Sequence, residues 1–552
     1  MLKKKVPIGY ENFQEVIEKD LYYVDKTKVI EQLLDDKNKV VLFPRPRRFG
    51  KTLFMSMLDN FFDIEKKSAN ENLFEGLYIN SSKYKDYRNS YPVISLSFKD
   101  LKQNKFDSVI NQLRILMSRI YNEKIYLSDK LDGIELKTFN NILFQKCSID
   151  ELKISIKFLS DIMYKYYNIR VIILIDEYDV PIQEGYLDGF YGEVIDFMRT
   201  FLSSAMKGNS SLEMGILTGV LKVSKESIFS DLNNLKVYSI MDSKYEEYFG
   251  FTEAETKSIL EYYDLSLTDE VKKMYDGYDF AGVSIYNPWS ILNYVDSKRI
   301  NLYWVNTSGN DLIKKLLLST NIDNKIQIEK LALNEDLPFV YNDKITYQDF
   351  DDYNNLNNIL NILFSSGYLT LARQEVNDFG VIKDYVKIPN LEVKMLITSI
   401  MSSLSRYGDD NKNINLIFEF NEAMLHGDKA KLEVILNRMF QSISYMDSQE
   451  YFYHAYILGI LKSFLDSDKF VIKSNRETGL GRCDVYIRKI DNSIGFILEF
   501  KLASSVSEME EMAMIAIKQM KEKEYYKELI DEGVKEIKEI AMVFCDKKII
   551  VR

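Results

Sequence analysis

The sequence has few cysteines, histidines and prolines, and each scarcity excludes a class of protein. Its 552 residues include three cysteines, two histidines and eight prolines. The cysteines lie far apart and form no CxxC pair, and the histidines are His426 and His454, so a Cys/His zinc site is not predicted. Because proline is scarce and no low-complexity tract or short repeat is evident, long disordered linkers are not expected.

Long apolar runs are also missing. No run approaches the roughly 18 residues that a membrane span needs, so no membrane partner is expected. The basic segment at residues 1–7 lacks the apolar region of a secretory signal, which makes a reducing cytoplasm the expected compartment. The net charge of -11 argues against non-specific binding of nucleic acid by the whole protein, although it leaves room for a local basic groove.

The most informative stretch that is present predicts a strand, a tight loop and a helix. An apolar run at 40–43 precedes Gly50-Lys51-Thr52, and an amphipathic helix follows. This triplet is the core of a phosphate-binding loop, in which backbone N–H groups hold the β-phosphate, Lys51 reaches the β- and γ-phosphates, and the Thr52 hydroxyl binds Mg²⁺. The residues predicted to bind the nucleotide here are Arg47, Arg48, Phe49, Gly50, Lys51, Thr52 and Leu53.

One position departs from the usual loop pattern, which has glycine where this chain has Arg45. That glycine normally allows a tight turn without a Cβ clash. Arg45 therefore predicts a different turn, shaped by Pro44 and Pro46, whose rings fix φ. Because Gly-Lys-Thr alone is weak evidence for a nucleotide site, a second motif is needed.

The second motif is an apolar strand that ends in two acids. Residues 171–175 are predicted to form a buried parallel strand, and ligands of open α/β sheets lie at the carboxyl ends of such strands. Asp176 is predicted to hold Mg²⁺ through water, and Glu177 to polarise the attacking water. A core strand followed by two solvated acids is the alternative, which the presence of Lys51 and Thr52 disfavours.

A third apolar strand, at 214–220, carries Thr218 near its end. In ATPases with a glutamate beside the Mg²⁺-binding aspartate, the next strand often carries a polar sensor of the γ-phosphate, and Thr218 fits that place. A threonine hydroxyl that bonds to nearby backbone is an equally good interpretation.

Apolar runs separated by amphipathic helices predict a parallel sheet with helices on both faces in the N-terminal part of the chain. Residues 245–330 and 330–435 are predicted to be mainly helical. A second α/β unit is predicted from about residue 436. Its predicted strands are 470–473, 483–488, 494–500 and 539–544, and its predicted helices are 450–465 and 507–523.

The second α/β unit contains a further set of acids and a lysine. Glu499 and Lys501 are two residues apart and lie on one face of a strand, and a neighbouring strand could bring Asp484 beside them. The two carboxylates and the Phe500 carbonyl could bind Mg²⁺ or Mn²⁺. Lys501 could then orient or help to deprotonate a water that attacks a phosphodiester. Asp484, Glu499 and Lys501 are therefore the predicted catalytic residues, with a satisfied ion pair in a core strand as the alternative.

Three nearby residues carry weaker signals. Glu450 could add a third carboxylate to the metal site, or it could be a first-turn glutamate favoured by the helix dipole. His454 on the same helix is interpreted as a packed histidine. Gln519 could contact substrate phosphate or the attacking water.

These stretches together resemble the bacterial AAA-ATPase-like family that carries a C-terminal PD-(D/E)XK nuclease domain. The matching segments are 7–13, 23–27, 45–52, 176–182, 218–229, 275–278, 286–290 and the set Asp484, Glu499, Phe500 and Lys501. The resemblance makes Arg45 a feature of the family's own loop. Cys483 stands where the superfamily name places proline, a change that removes no ligand. Lys222 and Lys225 could contact the γ-phosphate, or they could be ordinary polar loop residues.

The resemblance implies an α/β multidomain protein: a P-loop parallel sheet with a helical, winged-helix-like lid and a C-terminal restriction-endonuclease-like α/β domain. It implies ATP and Mg²⁺ as cofactors, with Mg²⁺ or Mn²⁺ at the nuclease site. The predicted domains are an ATPase domain at 1–240, a helical lid at 241–330, a helical connector at 331–435 and a nuclease-like domain at 436–552.

Two functions follow from these motifs. The first is an ATP-regulated nuclease acting on DNA or RNA, because both acid and lysine sets are intact in one chain. The alternative is a nucleotide-driven switch or partner-binding protein whose C-terminal domain binds nucleic acid without cleaving it, which the acidic charge and the lack of a basic stripe favour. A homo-oligomer is compatible with either function.

Overall fold

The structure, a computed structural model, describes most of the chain and forms two compact units. The described residues are 3–68, 70, 72–221, 234–304, 313, 316–317, 319–332, 334–343, 345–347, 349, 352, 355–376, 382–404, 419–420, 422–440, 453–454, 456–458, 460–461, 465 and 469–552. The N-terminal unit comprises Met1–Arg299 and Asp336–Asn390, and the C-terminal unit comprises Ile300–Glu335 and Leu391–Arg552. No helix among the described residues is both long and apolar enough to cross a bilayer.

The strands are named in chain order. They are β1 Val40–Pro44, β2 Val93–Ser97, β3 Val171–Asp176, β4 Leu212–Gly219, β5 Leu235–Val237, β6 Phe251–Thr252, β7 Tyr278–Phe280, β8 Val283–Tyr286, β9 Leu337–Phe339, β10 Thr370–Val376, β11 Ile382–Lys387, β12 Phe470–Thr478, β13 Gly481–Lys489, β14 Ile494–Leu502, β15 Glu536–Cys545 and β16 Lys548–Val551.

The helices are named in the same way. They are α1 Phe13–Glu18, α2 Lys28–Asp36, α3 Lys51–Phe62, α4 Phe106–Glu123, α5 Gly133–Leu143, α6 Ile149–Lys153, α7 Ser155–Tyr167, α8 Val180–Asp188, α9 Tyr191–Met206, α10 Glu253–Tyr262, α11 Asp269–Tyr275, α12 Pro288–Ser297, α13 Ile322–Ala332, α14 Leu356–Ser365, α15 Leu391–Leu404, α16 Lys429–Phe440, α17 Met509–Glu522 and α18 Lys527–Asp531. The described residues within 453–461 are also helical.

The N-terminal unit is built on a five-stranded parallel sheet with the order β2-β3-β4-β1-β5. Every residue of β1 and β3 is buried, as expected for strands covered by helices on both faces. β4 lies between β1 and β3, so the carboxyl ends of these three strands meet at one edge of the sheet. This edge places the loop after β1, the acids that end β3 and Thr218 of β4 side by side.

The prediction of a parallel sheet is confirmed, and the sequence analysis missed β5, whose three residues are too few for a periodic signal. The expectation of mainly helical structure across 245–435 was incomplete. A three-stranded sheet with the order β6-β8-β7 and another with the order β10-β11-β9 lie there. Most of these strands are only two to four residues long, which again leaves little pattern to read. The helical, winged-helix-like lid and the ranges of the four domains stay predictions.

The C-terminal unit contains a mixed five-stranded sheet with the order β12-β13-β14-β15-β16, in which only β14 and β15 run parallel. The helix α17 connects these two strands and packs against Ala541 and Val543 of β15. The other face of β15 presents Phe544, whose ring contacts Phe440 of α16 and Tyr453. The sheet is therefore covered on both faces, and charges on β14 lie in a core strand. The predicted fold class, with a P-loop parallel sheet and a separate C-terminal α/β domain, is confirmed.

Candidate functional sites

The loop after β1 forms an open cradle at the start of α3. Gly50 precedes the helix in the left-handed conformation, with φ of +84°, and a Cβ at this position would meet nothing within 4 Å. Arg48 is also left-handed, with φ of +66°. The first N–H groups of α3 have no partner within the helix and point toward this open space. A helix N-terminus of this kind is a favourable place for phosphate.

Arg45 is an internal anchor of the loop. Its side chain is fully buried. Its guanidinium donates to the carbonyls of Pro44 at 2.9 Å, Tyr238 at 2.6 Å and Tyr245 at 3.3 Å, and it lies 4.8 Å from the centre of the Phe249 ring. Burial lowers the pKa of Arg45 to about 10, so the group stays charged at neutral pH. The arginine therefore holds the chain that packs behind the loop.

Replacing Arg45 by glycine, which restores the usual loop pattern, is expected to destabilise the protein by about 3 kcal/mol or more, because three buried carbonyls lose a charged donor. Arg45 is not among the residues with positive φ, so the glycine brings no conformational relief. Urea unfolding followed by tryptophan fluorescence measures the change. The control is Arg48→Ala, because Arg48 lies in the same loop but is exposed. Its guanidinium lies 4.5 Å from the centre of the Trp289 ring. Equal stability of the two variants would contradict the anchor role.

Lys51 lies inside the loop. Its ammonium donates to the carbonyls of Arg45 at 2.9 Å and Pro46 at 2.8 Å. Burial lowers the pKa of Lys51, while the nearby carboxylates of Glu177, Asp179 and Asp176 act in the opposite direction. Two backbone carbonyls thus hold the lysine Nζ at the centre of the cradle.

A chain of hydroxyls and one carboxylate links the three strand ends. The Thr52 hydroxyl donates to Asp176 Oδ2 at 2.8 Å, and the Thr218 hydroxyl donates to Asp176 Oδ1. Asp176 is 3 % exposed. The structure therefore brings together the two residues predicted to bind Mg²⁺, and Thr218 contacts Asp176 rather than nearby backbone.

Glu177 follows β3 in a left-handed conformation, with φ of +52°. Such a conformation is uncommon for a residue with a side chain and is found most often at functional sites. Burial raises the pKa of Glu177, and Lys51 opposes this shift. The carboxylate is therefore directed to a partly shielded place close enough to Lys51 for their charges to interact.

Tyr178 and Asp179 hold the chain that leaves β4. Asp179 Oδ2 accepts from the N–H groups of Val220 at 2.8 Å and Leu221 at 3.0 Å, and the Tyr178 hydroxyl donates to the Leu221 carbonyl at 2.5 Å. Both side chains are buried. The turn that carries Glu177 and the end of β4 are thus one connected piece of structure.

The remaining predicted loop residues have clear positions. Arg47 donates to the Gln183 side chain at 3.1 Å, and Phe49 is buried with its ring against Tyr278 and Phe280. Leu53 is half-buried in the first turn of α3. Phe49 and Leu53 can therefore contribute only backbone groups to a ligand in the cradle. Lys222 and Lys225 lie outside the described residues.

In the C-terminal unit, Asp484 sits where β13 and β14 separate. The paired register of these strands ends at Val485 and Leu498. One residue beyond, Asp484 Oδ2 accepts from the N–H of Phe500 at 2.7 Å, so a carboxylate replaces the backbone acceptor of the ladder. This contact orients Asp484 across the end of β14.

Glu499, which is buried, and Lys501, which is half-buried, form a pair on β14. Lys501 donates to Glu499 Oε1 at 2.7 Å, and Gln519 of α17 donates to the same oxygen at 2.6 Å. Glu499 is 2 % exposed. Gln519 also donates to the Tyr525 hydroxyl at 3.0 Å. A carboxylate, an ammonium and an amide therefore converge on one point of the sheet.

His454 is closer to this site than the sequence analysis implied. Its Nδ1 lies 3.9 Å from Asp484 Oδ1, its Nε2 lies 3.0 Å from the Ser474 hydroxyl, and its ring packs against Phe500. Burial lowers the pKa of His454 to about 4, so the ring is neutral at pH 7 and its contact with Asp484 is not an ion pair. The packed-histidine interpretation holds, although the packing partner is the candidate site.

The donor chemistry at Asp484 and Glu499 fits a hard divalent cation. Mg²⁺ is commonly held by one or two carboxylates, with water and substrate phosphate completing its coordination. Within the described part of the chain, no group of three or more His, Cys, Asp or Glu side chains is placed to hold a metal. Glu450, the predicted third carboxylate, lies outside the described residues. Cys483 is buried, and burial raises the pKa of its thiol to about 12, which leaves it unsuited to metal binding.

Three roles were not predicted from the sequence: Arg45 anchors the loop, Asp179 bonds to the chain that leaves β4, and Tyr525 is a partner of Gln519. Arg45 and Asp179 lie in segments that carry the family resemblance, but the resemblance assigned neither of them a role. Tyr525 carries no local signal, because its contact with Gln519 arises from the turn that follows α17.

Comparison with known families divides the chain as the two sites do. A family model described as a predicted AAA-ATPase matches residues 7–229, and a model of the PD-(D/E)XK nuclease superfamily matches residues 448–552. The chain is also similar to a protein of Azotobacter chroococcum mcd 1, described as an uncharacterized protein in the vnfD 5' region. The two are 27 % identical over 533 residues, which cover 95 % of this chain and 93 % of the relative.

Proposed function

Because the chain carries an AAA-ATPase-like domain at residues 7–229 and a PD-(D/E)XK nuclease superfamily domain at residues 448–552, we propose that it hydrolyses ATP and cleaves phosphodiester bonds of nucleic acid, with the nucleotide state controlling cleavage. The observation that carries the proposal is that each domain brings its acids and its lysine together. Lys51 lies within reach of the charges of Asp176 and Glu177, and Lys501 lies 2.7 Å from Glu499.

At the first site, the proposal assigns the N-terminal backbone of α3 and Lys51 to the phosphates of ATP. Thr52 and Asp176, already joined by a 2.8 Å hydrogen bond, would hold Mg²⁺, which when bound neutralises phosphate charge. Glu177 would accept a hydrogen bond from the attacking water and orient it toward the γ-phosphate. Thr218 would keep Asp176 aligned through its hydroxyl.

At the second site, Asp484, Glu499 and the Phe500 carbonyl would hold Mg²⁺ or Mn²⁺, which when bound supplies an activated water and stabilises charge on the phosphodiester. Lys501 would orient the attacking water and oppose negative charge on the phosphate. Gln519 holds Glu499 at 2.6 Å and so keeps its carboxylate facing the site.

The decisive experiment is cleavage of circular single-stranded DNA, circular duplex DNA and RNA by the full chain with Mn²⁺, with and without ATP. Cleavage of any of these substrates would support the nuclease assignment, and a change in rate with ATP would support control by the first site. No cleavage, together with tight binding of nucleic acid, would replace the proposal by the nucleotide-driven switch.

Lys51→Ala is expected to weaken ATP binding by about 10- to 100-fold, because a charged hydrogen-bond donor to phosphate contributes about 1.5–3 kcal/mol. Isothermal titration calorimetry with a slowly hydrolysed ATP analogue and Mg²⁺ measures the affinity. The control is Lys67→Ala, an exposed lysine that follows the same helix. Unchanged affinity in the Lys51 variant would remove this loop from the proposed nucleotide site.

A further inference from the structure

A groove opens beside the hairpin formed by β12 and β13. It has a volume of about 760 Å³ and is lined by Arg476, Thr478, Gly479, Gly481, Arg482, Lys527, Glu528 and Asp531. One wall is the hairpin and the other is α18 with the turn before it. None of these residues takes part in the chemistry proposed at Glu499, so the groove is a separate candidate for ligand binding.

The hairpin tip that borders the groove is bonded to the segment that follows α17. Gly479 is left-handed, with φ of +58°, and a Cβ there would lie 2.2 Å from the Glu524 carbonyl oxygen. The Leu480 N–H donates to the Lys523 carbonyl at 2.7 Å, and the Thr478 hydroxyl donates to the Tyr525 carbonyl at 2.9 Å. These contacts fix the turn against the segment between α17 and α18. Leu480 is nevertheless 67 % exposed, so an apolar side chain at the tip is accessible to solvent.

Basic side chains outnumber acids around the groove. Glu528 is already paired, because Arg476 contacts its carboxylate with two nitrogens at 2.8 and 3.1 Å and Lys473 lies 3.6 Å away. Of the charged residues that line the groove, three are basic and two are acidic: Arg476, Arg482 and Lys527 against Glu528 and Asp531. A local positive excess on a chain with a net charge of -11 favours an anionic ligand at this place.

The groove shares a wall with the candidate nuclease site. A Cβ on Gly481 would lie 3.1 Å from the Tyr525 ring. The hydroxyl of that ring accepts from Gln519, and the same nitrogen of Gln519 donates to Glu499. Arg482 is two residues before Asp484 on β13. Gly481 and Arg482 therefore place the groove at the end of β13 that also carries Asp484.

We propose that this groove holds the sugar–phosphate backbone of a nucleic acid strand next to the cleavage site, with Arg482 and Lys527 contacting phosphates and Leu480 packing against a base or sugar. The inference rests on the proposed nuclease function and adds where the substrate lies. The glycines on either side of Leu480 let the hairpin tip lie close to the Lys523 and Glu524 backbone and to the Tyr525 ring, which leaves Leu480 projecting at the tip. Leucine is among the apolar side chains that insert between bases in nucleic acid complexes.

The test is binding of fluorescein-labelled oligonucleotides by the full chain in EDTA, followed by fluorescence anisotropy at several salt concentrations. The probes are a mixed-sequence DNA strand, its duplex and an RNA of the same sequence. Arg482→Ala/Lys527→Ala is expected to raise Kd about tenfold and to reduce the slope of log Kd against log salt by about 1.5, since each phosphate contact contributes roughly 0.7 to 0.9.

Two further variants separate the contributions. Leu480→Ser is expected to raise Kd by about threefold to tenfold with an unchanged salt slope, because the lost contact is apolar. The matched control is Lys489→Ala/Lys535→Ala, which removes the same charge at the opposite end of the sheet, where β13 ends and β15 begins. Its salt slope is expected to equal that of the unchanged protein.

The possible results test nucleic acid binding in the groove separately from nuclease activity. Cleavage by the unchanged protein, with equal salt slopes in the groove and control variants, would overturn the groove and leave the nuclease proposal standing. Groove-dependent binding without cleavage would support the groove and remove the nuclease proposal. Absence of binding to all three probes would overturn the groove, and the cleavage assay with Mn²⁺ would then decide the nuclease proposal by itself.

Discussion

Glu499→Gln is expected to lower the rate of nucleic acid cleavage by about 10³-fold or more and to leave ATP hydrolysis unchanged. Glutamine has nearly the same shape, so the packing around β14 is retained. It removes the negative charge that attracts a divalent cation and that balances Lys501 at 2.7 Å. The loss should therefore appear in the chemical step. The two rates are measured on one preparation, cleavage with Mn²⁺ and phosphate release with ATP.

The control for this variant is Glu511→Gln, an exposed acid in the first turn of α17. It removes the same charge from the same domain and is expected to cleave at the normal rate. If Glu499→Gln retained normal cleavage, the assignment of Glu499 would be wrong, and any nuclease activity would have to come from another site or a contaminant. Loss of ATP hydrolysis in the same variant would point instead to general misfolding.

Glu177→Gln is expected to lower kcat for ATP hydrolysis by about 10²- to 10⁴-fold while leaving ATP affinity nearly unchanged. Glutamine can still contact the attacking water, but it cannot accept its proton. The left-handed backbone at this position, with φ of +52°, is as demanding for glutamine as for glutamate, so the turn should be retained. Phosphate release gives kcat, and titration with ATP under non-hydrolysing conditions gives the affinity.

Asp188→Asn, an exposed change at the end of α8, serves as the matched control and should hydrolyse ATP normally. An unchanged kcat in Glu177→Gln would assign the water-orienting role elsewhere. The variant also separates binding from hydrolysis in the control of cleavage. If ATP still changes the cleavage rate of Glu177→Gln, bound nucleotide is sufficient for control, and if ATP loses its effect, hydrolysis is required.

The strands that carry the candidate sites were predictable because their signals are local. Val40–Pro44 and Val171–Asp176 are almost entirely apolar, and a continuous apolar run is typical of a strand that is covered on both faces. Glu499 and Lys501 share a face because strand side chains alternate. The three-residue strand β5 and the short strands β6 to β9 were missed, since two to four residues carry no period.

The contacts that complete each site were not predictable, because they join residues far apart in the chain. Arg45 meets the Tyr238 carbonyl, and His454 reaches Asp484 only when a helix packs on the sheet beside β13. In the sequence, Arg45 is visible only as a departure from the usual loop pattern. Its burial and its three carbonyl partners make it an anchor instead.

The sequence by itself determined the phosphate-loop triplet, the acids at the end of β3 and the alternation that places Glu499 and Lys501 together, because residue type and spacing within one strand or turn decide these features. Only the tertiary structure decided that β4 lies between β1 and β3, which brings Thr52, Asp176 and Thr218 within hydrogen-bonding distance. It also decided that Gln519 and Tyr525 connect Glu499 to the groove. Strand order and helix docking follow from the burial of whole apolar faces, a property that no short segment carries.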